Sequence, residues 1–199
     1  ENGYYSIYQS DRYGFNNPDS EWDKKEIEYL LVGDSFTHGA CVNRPNDISS
    51  VLRNLSKKNV LNLGMGGNGP LIEYATLREY MNTKVKKVLW IYYEGNDSLN
   101  LGNEKKNNIL NNYLKDLNFT QNLKFKQNDI DSLLSNLIEE RQRERQRERG
   151  RERERETFKF KLIKFIKIYN TRNPNLLKPQ PAPAPEFKQI LQLTKELTN

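Results

Sequence analysis

The stretch Ile27-Glu28-Tyr29-Leu30-Leu31-Val32-Gly33-Asp34-Ser35-Phe36-Thr37-His38-Gly39 decides how this chain is read. Its first six residues are a short, mostly apolar run that stops at Gly33, the pattern of a buried strand. Gly33 lets the backbone turn without a side-chain clash. A serine in a tight turn after a buried strand has its hydroxyl presented at the sheet edge. Covalent catalysis needs an exposed hydroxyl on a rigid support, so Ser35 is a candidate nucleophile. Taken alone, the motif equally describes an ordinary turn in which an Asp and a Ser cap a helix.

Downstream the pattern repeats. Asn46 or Asp47 caps a helix expected to reach Lys58, with Ile48, Val51, Leu52 and Leu55 on one face. Residues 59–63 form a second apolar run, ended by Gly64-Met65-Gly66-Gly67-Asn68-Gly69. Pro70 opens a helix to about Asn82, with Leu71, Tyr74, Leu77 and Met81 inward. A third strand over 87–93 stops at Glu94-Gly95-Asn96-Asp97. The order strand, helix, strand, helix, strand, with each strand apolar on both faces, predicts an α/β domain with a parallel sheet. All three glycine-containing motifs then fall at the C-terminal ends of strands, where open α/β sheets bind ligands.

The second and third motifs suit one chemistry. Free backbone N–H groups in a glycine turn can hold an oxyanion, and an Asn amide at a strand end can donate to the same developing charge. Singly, these are a simple βα turn and an Asn-Asp strand terminator. Gly64, Gly66 and Gly69 have the spacing of a dinucleotide fingerprint, but they follow the second strand and run straight into Pro70. The phosphate-binding loop pattern is absent.

Together and in this order, the three blocks resemble the SGNH (GDSL-type) hydrolase superfamily over residues 27–98, with about thirty residues between blocks. The resemblance implies a flavodoxin-like three-layer α/β/α fold with no metal and no organic cofactor. It implies Ser35 as nucleophile, and an oxyanion hole from the N–H groups of Ser35 and Gly67 with the Asn96 amide. It implies an esterase acting on a lipid, acetyl or carbohydrate ester. A sugar O-acetyltransferase or an accessory subunit on the same fold is the alternative. The chain departs from the family at its fourth block, Asp-x-x-His, which supplies the general base and its orienting acid. His38 is the sole histidine and sits in the turn beside Ser35, so it is read as a loop or helix-start residue. Asp34 and Asp97 are read as structural, and Cys41 as a small packed side chain. The chain starts at Glu1 and stops in mid-pattern at Asn199, so it is read as a fragment whose catalytic Asp and His lie beyond.

Composition sets the remaining expectations. Hydrophobic residues make up 35% of the 199, the net charge is +6, and the single Cys41 permits no internal disulfide. Residues 1–26 are polar and expected to lie across the surface of the core, itself assigned to 27–138 and incomplete at its C-terminus. Residues 139–156 hold eight Arg and seven Glu. Opposite charges meet there at i,i+3 and like charges at i,i+4, which predicts a solvated helix or disorder. Residues 157–178 are amphipathic and helical in pattern, 179–185 a proline-rich linker, and 186–199 the start of another helix. A basic amphipathic helix can lie on an anionic membrane, which gives a non-catalytic membrane-surface or interaction module as a third reading. Nucleic acid is disfavoured, because interleaved Glu neutralises the Arg run and no aromatic platform accompanies it. Compartment is left open.

Overall fold

The computed structural model describes residues 6–81, 84–159 and 185–198. It divides into two compact units, residues 1–125 with 180–199, and residues 126–179.

The first unit is α/β, built on a three-stranded parallel sheet. Strand β1 (Glu26–Gly33) lies in the middle, between β2 (Val60–Asn62) and β3 (Lys84–Ile91). Tyr29 is in register with Val60, and Gly33 with Ile91. The central strand therefore ends where the motif beginning at Asp34 starts. Leu30, Leu31 and Val32 are fully buried, as expected of a strand covered on both faces. The third strand differs from expectation. It begins earlier and leaves Tyr92 and Tyr93 beyond its end, and much of it is exposed, including Leu89. It is an edge strand among the described residues, hydrogen-bonded to β1 alone.

The helices follow from local signals. Asp34 accepts from the Phe36 N–H and starts the single turn α1 (Ser35–His38), which Gly39 ends in a left-handed conformation. Asp47 caps α2 (Ile48–Ser56) through the Ser50 N–H. Pro70 is the first residue of α3 (Pro70–Tyr80), and α4 (Asp97–Glu104) and α5 (Asn108–Lys115) follow β3. The Glu104 carboxylate accepts from the N–H groups of Gly69 (2.6 Å) and Leu71 (3.0 Å), closing the N-terminus of α3. Leu71, Tyr74 and Leu77 of α3 are fully buried. Leu77 and Tyr80 join Ile27, Leu30, Val32, Leu61 and Leu63 in one apolar cluster. Leu71, Tyr74 and Ala75 join Leu101, Tyr113, Phe187 and Ile190 in another. Phe187 and Ile190 belong to α7 (Pro185–Thr198), which returns to the unit.

Three features depart from the sequence reading. Residues 10–23 are not a surface extension. Phe15 enters the core beside Tyr80 and Trp22, and buried Asn17 pairs with the backbone of Asn62 through both its amide atoms. A polar, Asn-rich stretch can enter a core when its amides satisfy strand backbone groups. Cys41 is exposed rather than packed. The third departure is α2, whose buried residues are Ser49 and Ser50, while Ile48, Val51 and Leu55 face outward.

The second unit contains α6 (Gln127–Lys159), one helix running through the Arg/Glu stretch. Residues 139–148 are exposed, with Arg143 pairing to Glu139 one turn away at 3.1 Å. Residues 160–184 lie outside the described residues, and with them most of the amphipathic segment and the proline-rich linker.

Candidate functional site

The C-terminal ends of β1, β2 and β3 bring the three motifs together. Buried Asp34 is the meeting point. Its Oδ1 accepts from the Phe36 N–H at 3.1 Å, and its Oδ2 accepts from the Ser35 hydroxyl and from the Asn96 Nδ2, each at 3.3 Å. Ser35 and Asn96 are 61 positions apart in sequence and lie within two hydrogen-bond lengths in space. Both residues are partly exposed, while the Asn96 Oδ1 is buried without a partner among the described residues.

The glycine turn closes the third side. A Cβ placed on Gly64 would stand 2.6 Å from the His38 nitrogen and from Thr37 Cβ, so α1 and this turn approach as closely as backbone allows. A Cβ on Gly66 would lie 3.7 Å from Ser35 Cβ, which puts the turn alongside the serine. Gly67 has φ +89°, a conformation that favours glycine, and faces open space. Among the described residues, neither the Gly67 N–H nor the Ser35 N–H is taken up by a partner within the chain. Around Asp34 the site thus gathers one hydroxyl, the unsatisfied Ser35 N–H and one side-chain amide, with Gly67 next in the chain after Gly66. Such groups can attack a carbonyl and hold an oxyanion only once a base takes the serine's proton.

His38 closes α1. Its Nδ1 accepts from the Gly66 N–H at 3.4 Å, its Nε2 is buried without a partner among the described residues, and the Tyr8 ring meets it edge-on at 4.9 Å. Burial lowers its pKa, which favours the neutral ring. The acceptor of the Ser35 hydroxyl is Asp34 and not this imidazole.

A layer of buried carboxylates lies around the site. Asp97 accepts from the Tyr93 N–H at 2.6 Å, which fixes the turn carrying Asn96, and burial raises its pKa to about 6. Glu73 accepts from the Trp90 indole N–H at 2.6 Å. Burial raises its pKa to about 9, and Asp97, Glu104 and Asp34 push it the same way. Burial raises Glu104 as well. No group of three or more His, Cys, Asp or Glu among the described residues is arranged to hold a metal ion.

The sequence reading did not single out the aromatic pair at the mouth. Phe36 and Tyr93 are exposed, with ring centroids 4.9 Å apart. Each flanks a motif, Phe36 following the serine and Tyr93 preceding Glu94-Gly95-Asn96, and that adjacency was the available signal. The Glu73–Trp90 contact left no such trace, since it joins two side chains whose sequence patterns read as ordinary helix and strand.

No protein-family model, curated protein or solved structure matches the chain.

Proposed function

We propose that the chain carries the nucleophile and oxyanion hole of a serine ester hydrolase of the SGNH (GDSL-type) superfamily, on a flavodoxin-like three-layer α/β/α fold. The observation that carries this reading is the convergence of the Ser35 hydroxyl and the Asn96 amide on one oxygen of Asp34, with the Ser35 N–H unpartnered and the glycine turn alongside at Gly66. In this reading Ser35 Oγ attacks the carbonyl carbon of a carboxylic ester and gives up its proton to a general base. The carbonyl π electrons move onto oxygen. The Ser35 N–H, the Gly67 N–H and the Asn96 amide hold that charge, and Asn96 turns from Asp34 toward it. Collapse expels the alcohol, which takes the proton from the base, and water then releases the acyl group by the same route.

The base is the part that these residues do not supply. His38 is the one histidine of the sequence, and its Nδ1 already accepts from Gly66. The reading therefore requires a general base other than His38. A fluorophosphonate probe tests it on the 199-residue chain, with and without imidazole in solution. Labelling at Ser35 that disappears in Ser35→Ala and rises with added imidazole is the expected result. Absence of Ser35-dependent labelling under both conditions overturns it.

A further inference from the structure

Helix α2 is built inside out. Its inward side is polar. Ser49 and Ser50 are buried, Ser49 Oγ donates to Asp47 Oδ1 and accepts from Asn62 Nδ2, and Arg53 donates to the Val60 carbonyl at 2.9 Å and to Asn17 Oδ1 at 2.7 Å. Those polar partners hold the helix against β2. Its outward side carries the aliphatic stripe, with Ile48 and Val51 each 42% exposed and Leu55 78% exposed. An amphipathic helix normally turns its apolar stripe toward the core. Here the hydrogen-bond network fixes the opposite orientation, so the stripe meets whatever lies outside.

Charge around the stripe identifies that occupant. Lys57 and Lys58 follow the helix and are exposed. Between Ala40 and Val60 the one carboxylate is Asp47, which is 1% exposed and spent on capping. The outer surface of this segment is therefore aliphatic and basic, with no acid of its own. Ile7, 75% exposed, is tied by its N–H to Asn43 in the loop leading into the helix and adds apolar surface there. An aliphatic stripe with flanking lysines is the pattern of a helix that lies in the interface of an anionic bilayer.

We infer that the outer face of α2 docks the protein on an anionic lipid surface, with Ile48, Val51 and Leu55 entering the headgroup boundary and Lys57 and Lys58 meeting lipid phosphates. The inference is independent of the serine chemistry. Flotation with vesicles of phosphatidylcholine alone, or with a quarter phosphatidylglycerol, tests it without any activity. Preferential binding to the anionic vesicles is expected, weakened by salt. Val51→Asp with Leu55→Glu should lower it by roughly tenfold or more, and Lys57→Gln with Lys58→Gln should reduce its salt dependence. All four positions are exposed, so circular dichroism of the variants should match the parent. Equal binding to both vesicle types, or binding that the Val51→Asp/Leu55→Glu variant retains in full, overturns the inference. A concentration-dependent dimer abolished by those two substitutions, with no vesicle binding, also overturns it and gives the face to a second copy.

Discussion

The Ser35 hydroxyl and the Asn96 side-chain amide donate to the same oxygen, Asp34 Oδ2, at 3.3 Å each. A carboxylate at that position holds both groups in register while no substrate is present. It also starts α1 by accepting from the Phe36 N–H. Replacing Asp34 by Asn keeps an oxygen for that cap but turns an N–H₂ toward two donors. Asp34→Asn should therefore fold with a loss of about 1 kcal/mol, seen in denaturant titration, and label at Ser35 more slowly than the parent. Equal labelling rates would mean that Asp34 does not organise the pair.

Asn96 is placed to lose little stability and much reactivity. It is partly exposed, and its recorded side-chain bond is the one to Asp34. An amide that donates to a developing oxyanion is typically worth about 3–4 kcal/mol in the transition state, or roughly a hundred- to a thousandfold in rate. Asn96→Ala should slow phosphonylation of Ser35 on that scale with the melting temperature nearly unchanged. A large fall in melting temperature with the rate preserved would assign Asn96 to structure instead.

Two glycines separate space from backbone freedom. A methyl at Gly64 would meet the His38 backbone nitrogen at 2.6 Å, where neither partner can swing away. Gly64→Ala should cost about 1–3 kcal/mol and move α1 off the glycine turn, lowering labelling as well as stability. Gly102 lies inside α4 with nothing within 4 Å of an added Cβ. Gly102→Ala should stabilise by about 0.4–1 kcal/mol, because Ala orders more cheaply in a helix. Thermal melts of the two variants moving the same way would contradict this account.

The contrast between α3 and α2 explains what could be read from the sequence. Leu71, Tyr74 and Leu77 recur at helical spacing and are buried, and the parallel β1 with its flanking helices follows from apolar runs between glycine turns. At α2 the same spacing pointed to Ile48, Val51, Leu52 and Leu55, yet the core took Ser49 and Ser50, and of those four only Leu52 is half-buried. Periodicity reports which residues share a face. It does not report which face wins when Asp47, Asn62, Asn17 and Arg53 offer a polar network inside. Phe15 and Asn17 were missed for the same reason, since their partners Tyr80, Asn62 and Arg53 are distant in sequence. The meeting of Ser35, Gly66 and Asn96 was legible only through the order of the three motifs. No spacing rule discloses that Asp34 is their shared acceptor, or that His38 spends its Nδ1 on Gly66.

Glu73 gives the stability of the protein a pH dependence with a definite sign. The carboxyl is 1% exposed, its pKa is raised from 4.5 to about 9 chiefly by burial, and it accepts from Trp90. In the folded protein it stays protonated between those two values, whereas in the unfolded chain it ionises above the lower one. The folded state then binds the extra proton, so this group's contribution is fully present below pH 4.5 and is lost as pH rises toward 9. Each unit of that displacement corresponds to about 1.4 kcal/mol, so the loss between pH 5 and 8 amounts to a few kcal/mol. Glu73→Gln cannot ionise, and its carbonyl oxygen can still accept from the Trp90 indole. Urea titrations at pH 5 and pH 8 should show the parent weaker at the higher pH, and the variant with a markedly smaller difference. Were the parent to gain stability across that interval while the variant did not, Glu73 would be ionised in the fold and its carboxylate paired with a group other than Trp90.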